Sequence, residues 1–157
     1  MKAIDEPGFW DASALVPLCL RQGASSKVQR YLEIYPIVVW WSTEVEMCSA
    51  FARERRMENI SAADHDWAVA RLRLLKAHWG EILPSDDIRA AAIGLLEKYP
   101  LRSADSLQLA AALAWSQGRP ANRIFLCADK RLNAAAGSEG FTVLSTNTEG
   151  SPTNRRD

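Results

Sequence analysis

A chain of 157 residues with 48% hydrophobic composition is long enough for one ordinary core and too short for two. Lys plus Arg and Asp plus Glu balance at 19 each, which excludes binding to nucleic acid through overall charge and leaves any such contact to a local basic patch. No stretch approaches the roughly 18 uncharged apolar residues of a membrane span.

Along the chain, the start MKAIDEPGFW is acidic and has no apolar signal-peptide core, so a cytoplasmic protein is expected. Cys19, Cys48 and Cys127 are odd in number and sit in apolar runs, as buried thiols of a reducing compartment do. His65 and His78 have no partner at metal-ligand spacing, which argues against zinc. The first apolar run, Gly8–Trp10, reads as a strand with Asp11 directly behind it. The second, Ile37–Trp41, leads into a helix whose opening turns, STEVEMCSAF, carry Glu46. Trp40 and Trp41, as neighbours on a strand, face opposite sides, and most of the six tryptophans are expected in the core.

Ser61–Asp64 has the S-x-x-D pattern of a helix start, followed by a stripe of Ala68, Leu72, Leu75 and Trp79. Glu81–Leu83 is a weak candidate for an edge strand. In PSDDIRAAAIGLLEKY, Ser85 caps a helix whose apolar positions Ile88, Ala91, Ala92, Leu95, Leu96 and Tyr99 fall on one stripe. A nearly apolar helix follows over Ser103–Gln117, stopped by Gly118 and Pro120, with Asp105 in its first turn. Ile124–Ala128 is the next strand and Asp129 follows it at once. A short helix then runs to Gly137 and Gly140, and Phe141–Leu144 is the last strand. The apolar runs lack alternation, as strands covered on both faces do, and helices lie between them. The expected class is α/β, a mostly parallel sheet with helices on both faces. One domain over residues 1–145 and a mobile polar tail over residues 146–157 complete the expected organisation.

Sites in open α/β sheets form at the carboxyl ends of the strands, where strand order reverses. Asp11, Glu46, Asp105 and Asp129 all fall at that end. Each has a simpler reading: Asp11 and Asp129 as helix caps, Glu46 as half of a capping box with Thr43, and Asp105 as a first-turn charge behind a Ser103 cap. Together, four carboxylates in one cleft repel unless protons or cations neutralise them. Mg²⁺ and Mn²⁺ choose such oxygens and keep waters for substrate phosphates, and the chemistry that follows is metal-assisted phosphodiester hydrolysis. Ser13 and Ser106 could support the site or merely cap. Glu44, two residues from Glu46 on a helix, faces solvent, and Asp64, Asp66, Asp86 and Asp87 are first-turn charges far from the strand ends.

The set DASALV, VEMCSAF, LRSADSLQLAAAL and LCADKRL, in this order over Phe9 to Leu144, resembles the PIN-domain ribonucleases, in particular the VapC-like toxins of bacterial toxin–antitoxin pairs. The resemblance implies a three-layer α/β/α sandwich around a five-stranded parallel sheet and a Mg²⁺- or Mn²⁺-dependent endoribonuclease. It puts the four acids of the family pattern on Asp11, Glu46, Asp105 and Asp129. It also implies a homodimer and a small VapB-like antitoxin whose tail enters the acidic groove. Two departures stand out: the extension MKAIDEPG is longer than usual, and Ala128 stands where Thr or Ser is frequent.

Basic residues supply the remainder of an RNA site. Arg21, Arg53, Arg55, Arg56, Arg102, Lys130 and Arg131 lie on helix ends or loops, and Arg102, Lys130 and Arg131 are the candidates for phosphate contacts. Two competing functions are a non-catalytic RNA- or protein-binding module on the same fold, and phosphotransfer through an aspartate nucleophile at Asp11. The second wants an acid two residues on, where Ser13 stands.

Overall fold

A computed structural model describes residues 6–21 and 23–147. Five strands, β1 (Gly8–Trp10), β2 (Ile37–Trp40), β3 (Gly80–Ile82), β4 (Ile124–Cys127) and β5 (Thr142–Ser145), form one parallel sheet in the order β3-β2-β1-β4-β5. Seven helices complete the described chain: α1 (Ala12–Cys19), α2 (Ser26–Ile34), α3 (Thr43–Arg56), α4 (Ala62–Lys76), α5 (Asp86–Lys98), α6 (Ser103–Trp115) and α7 (Lys130–Glu139).

Adjacent strand residues point to opposite faces, and each face has its own core. Phe9, Trp40 and Phe125 pack with α5, α6 and α7; Trp10, Val39 and Leu126 pack with α1 to α4. The result is a three-layer α/β/α sandwich, with the parallel sheet and two helical faces expected from the alternation of buried runs and helices and the three layers that the resemblance implies. On the first face Phe9 and Phe125, neighbours in the β1–β4 register, stack with centroids 5.7 Å apart, and Phe125 meets Phe141 at 5.6 Å.

Several expectations need correction. α2 has no apolar pattern that predicts it: SKVQRYLEI is polar apart from Val28, Tyr31, Leu32 and the exposed Ile34, only Val28 is fully buried, and Ser25 caps it. The edge strand sits one residue earlier than Glu81–Leu83 and the last strand one residue later than Phe141–Leu144. Gly140, at φ 113°, ends α7 in the left-handed conformation that glycine adopts without cost, and Phe141 then fills the core before the strand begins. β2 stops at Trp40. Trp41 therefore lies in a turn rather than on the strand's opposite face, 53% exposed, and Trp67 is 46% exposed on α4. Of the six tryptophans, Trp10 and Trp40 are buried and Trp79 and Trp115 pack half-buried against the two cores, so most are core residues as expected, with Trp41 and Trp67 the exceptions. The stripe on α5 is narrower than expected, with Ala91 and Leu96 exposed. Cys19 and Cys127 are buried free thiols, but Cys48 is exposed because it lies on the outer side of α3, between the buried positions Met47 and Phe51.

Thr146, expected to open the tail, is buried and its N–H bonds the Cys127 carbonyl at 3.0 Å, extending the β4–β5 ladder. Residues 148–157 of the expected tail, and most of the N-terminal extension, fall outside the described residues. Among the described residues, no helix is long and apolar enough to cross a membrane.

Candidate active site

The strand order fixes where a site can form. From β1 the chain steps outward through β2 and β3, then returns to place β4 on the other side of β1. The carboxyl ends of β1 and β4 therefore flank the crevice where the direction of winding reverses. Asp11 leaves β1 at that crevice and Asp129 leaves β4 there. The helix that feeds a parallel strand runs antiparallel to it, so the N-terminus of α6, which precedes β4, also lies at this end and brings Asp105 with it. α3, leaving β2, contributes Glu46. The four carboxylates line one cleft of ≈ 310 Å³ with Ser13 and Arg53. It opens into a second hollow of ≈ 630 Å³ that shares Glu46, Arg53, Asp105 and Asp129 and adds Arg102, Lys130 and Arg131.

Asp11 is the most enclosed of the four, 4% exposed. It is the N-cap of α1, and its Oδ2 accepts the Ser13 N–H at 3.0 Å and the Ser13 hydroxyl. Capping and site placement are therefore both true of it. Burial pushes its pKa up, the Ser13 hydrogen bonds and the Cys127 thiol pull it down, and Asp129 pushes it up again. Ser13 does more than cap. Its Oγ also accepts the Ala128 N–H at 3.0 Å, so one hydroxyl ties the β1–α1 turn to the β4–α7 turn across the crevice. The residue at 128 needs no hydroxyl of its own for that link, because its backbone makes it.

Glu46 lies one position too far along α3 to form the expected capping box. The N-cap is Ser42, which makes no side-chain bond to the helix backbone and instead donates its hydroxyl to Glu46 Oε1 at 2.8 Å. A second donor comes from α6: Gln108 Nε2 lies 3.2 and 3.3 Å from the two Glu46 oxygens and 3.1 Å from Thr43 Oγ1. Burial raises the Glu46 pKa most; Ser42 and Gln108 lower it, and Asp11 and Asp105 raise it.

Asp105 is in the first turn of α6, but Ser103 does not cap that helix. Arg102 occupies the N-cap without a side-chain bond, and Ser103 is the first helical residue. The Asp105 pKa is raised by burial first, then by Asp11 and Asp129, with Arg102 opposing. Asp129 caps α7, its Oδ1 accepting the Leu132 N–H at 2.8 Å. Ser106 is not in the cleft: it is buried and its hydroxyl donates back to the Ser103 carbonyl at 2.9 Å, inside its own helix. It supports the helix rather than the site.

Among the described residues, none of the four cleft carboxylates forms an ion pair, and neither do Arg53, Arg102, Lys130 and Arg131 beside them. Arg21, by contrast, is engaged elsewhere, 3.4 Å from Asp64 and over the Trp67 ring. Arg55 and Arg56 lie in the last turn of α3 and do not line the cleft. Glu44 pairs with Lys76 on α4, as its place on α3 requires. Asp64 completes the capping box with Ser61.

Sequence reasoning missed Gln108, Ser42 and the structural use of Thr43. A signal existed for the first: Gln108 is the one polar side chain in the apolar run LQLAAAL, and buried polar groups are kept when something pairs with them. Among the described residues, no three His, Cys, Asp or Glu side chains converge closely enough to enclose an ion on their own. The donor set is nonetheless all hard oxygen, and such cations hold one or two carboxylates directly and fill the remaining positions with water.

The sequence matches no family model and no curated protein. The structure does match solved ones. It aligns with a chain of a toxin–antitoxin complex from Klebsiella pneumoniae at TM-score 0.61 and 17% identity, covering 89% of this chain and 98% of that one. PAE2754 from Pyrobaculum aerophilum aligns at TM-score 0.59 and 18% identity, over 90% and 91%. FitAcB from Neisseria gonorrhoeae aligns at TM-score 0.62 and 13% identity, over 88% and 96%. At such identities the shared property is the fold, and this chain has the three-layer, PIN-like one.

Proposed function

We propose that this protein is a metal-dependent endoribonuclease, the toxin of a toxin–antitoxin pair. The observation that carries the reading is the convergence of Asp11, Glu46, Asp105 and Asp129, from four separate segments, on one cleft at the sheet's switch point with no paired cation among the described residues. Capping accounts for Asp11 and Asp129 but not for Glu46, which caps nothing, nor for the upward pKa shifts that Asp11, Glu46 and Asp105 share. Charged groups held close at a cost to stability are a mark of functional sites.

Mg²⁺ or Mn²⁺ suits these oxygens, and when bound it supplies an activated water at neutral pH and positive charge against the phosphate. Asp11, fixed by Ser13, and Asp105 and Asp129, beside it, would hold the ion. Glu46, across the cleft and restrained by Ser42 and Gln108, would bind through the oxygen left freer or orient water. Arg53, Arg102, Lys130 and Arg131 would hold the RNA backbone over the acids. Lys130 and Arg131 sit in the first turn of α7 and Arg102 at the N-cap of α6, where the helix dipole disfavours positive charge, so helix stability does not explain them. A phosphate partner does.

The toxin role rests on the shared fold, since the matched structures include a toxin–antitoxin complex and FitAB bound to a DNA fragment. A small VapB-like antitoxin, a homodimer and a cytoplasmic setting belong to the same reading. The test is incubation of the purified protein with total RNA and MgCl₂ or MnCl₂, followed by mapping of new ends. Cleavage that stops with EDTA and with Asp105→Asn supports the proposal; RNA bound but left intact under all these conditions makes the fold a binding module.

A further inference from the structure

We infer that Gln108, which lies in neither the acidic set nor the basic rim, is the positioning residue that aims Glu46 into the cleft; this rests on the proposed metal-dependent site. Gln108 is fully buried in α6, one turn beyond Asp105, so a single helix carries a cleft acid and the donor that restrains another. Its Nε2 has two protons and two destinations: Thr43 Oγ1 at 3.1 Å and the Glu46 carboxylate at 3.2 and 3.3 Å. Thr43 is itself fully buried at the first position of α3, so the amide is anchored on a fixed acceptor rather than on another mobile side chain. The Gln108 side-chain oxygen Oε1 is buried and has no partner among the described residues.

That orphan is informative. A buried amide with an unmet acceptor is a poor choice for packing, where leucine would fill the same space with no polar atom to satisfy. The orientation that leaves the oxygen unmet is the one that puts N–H groups on Glu46, because a carboxylate only accepts. Ser42 and Gln108 both reach Oε1, the Gln108 contact to Oε2 is the longest of the set, and Ser42 makes none to it. Oε2 is thus the oxygen left freer for a ligand. A helix-borne glutamate has three rotatable side-chain bonds, and two donors from two elements select one arrangement before any ligand arrives.

The test compares Gln108→Leu and Gln108→Met in the full-length protein, with far-UV circular dichroism confirming the fold, and reads two quantities. In crystal structures of the two variants, Glu46 should leave the position it shares with Ser42 and spread over several rotamers; an unmoved, well-ordered Glu46 in both overturns the inference. In MnCl₂ titrations, either variant should weaken affinity about 10-fold, as loss of an outer hydrogen bond to a ligand does. In a Glu46→Gln background the same substitutions should then have no further effect. A purely structural role for Gln108 would give the same loss in both backgrounds and also overturn it. If the unaltered protein takes up no Mn²⁺, the metal reading falls, while the Glu46 position in the variants still decides the role of Gln108.

Discussion

The Ser13 hydroxyl accepts the Ala128 N–H at 3.0 Å while donating to Asp11, so the two turns that bound the crevice are joined by one oxygen. Removing it unpairs the Ala128 N–H and loosens Asp11, which keeps only the Ser13 backbone N–H and the distant Cys127 thiol. Ser13→Ala should lower stability by about 1 kcal/mol in urea unfolding, the cost of a half-buried donor left without its partner. It should also reduce cleavage. Ser13→Thr, which keeps the hydroxyl, should restore most of both; equal losses in the two variants would show that the oxygen is not what matters.

Burial of the acids, and after it their repulsion, predicts a pH dependence. Asp11, Glu46 and Asp105 have folded-state pKa values above their ordinary ones, chiefly through burial and then through neighbouring cleft carboxylates, Asp129 among them. A raised carboxyl pKa stabilises the fold when the group is protonated, and that contribution is lost as pH rises through the folded value. In EDTA, Asp105→Asn should therefore be more stable than the unaltered protein at pH 7. The gap should close below the ordinary carboxylate pKa of about 4, where Asp105 is protonated in both states. Thermal melts between pH 3.5 and pH 8 measure it, and an Asp105→Asn protein less stable at pH 7 would mean that the carboxylate is held by favourable contacts instead.

The basic rim should be visible as salt dependence. Arg102, Lys130 and Arg131 line the hollow beside the acids and pair with no carboxylate among the described residues. If each neutralises a phosphate, replacing one by Ala reduces the steepness of log K against log salt by about 0.7 on a single strand and weakens binding evenly across sequences. Arg55→Ala, on the far end of α3 and outside the hollow, should leave the slope unchanged. Fluorescence anisotropy with a labelled single-stranded RNA, on a cleavage-deficient Asp105→Asn protein, gives the slopes.

The order of elements and the carboxyl-end position of the four acids were legible because strands buried on both faces leave unbroken apolar runs, and topology then dictates where their ends meet. GFW followed by Asp11 and IFLCA followed by Asp129 needed nothing more. What the sequence hid is what depends on side-chain reach between elements. Ser42 was one residue outside the expected capping pattern, and only the backbone shows that Glu46 lies beyond the capping position. Ser106, next to Asp105 in sequence, is turned a hundred degrees around the helix and bonds its own backbone instead of the site. α2 was hidden by its polarity: it packs on α1 with a single fully buried residue, Val28, too thin a stripe to stand out.

The central claim is that the four-acid cleft takes up a divalent cation, and calorimetric titration of MnCl₂ into the EDTA-stripped protein tests it most directly. Saturable uptake is predicted for the unaltered chain, with Asp11→Asn and Asp105→Asn each abolishing or severely weakening it while their melting transitions stay cooperative. Absence of uptake in the unaltered protein, or equal uptake in all three, would contradict it.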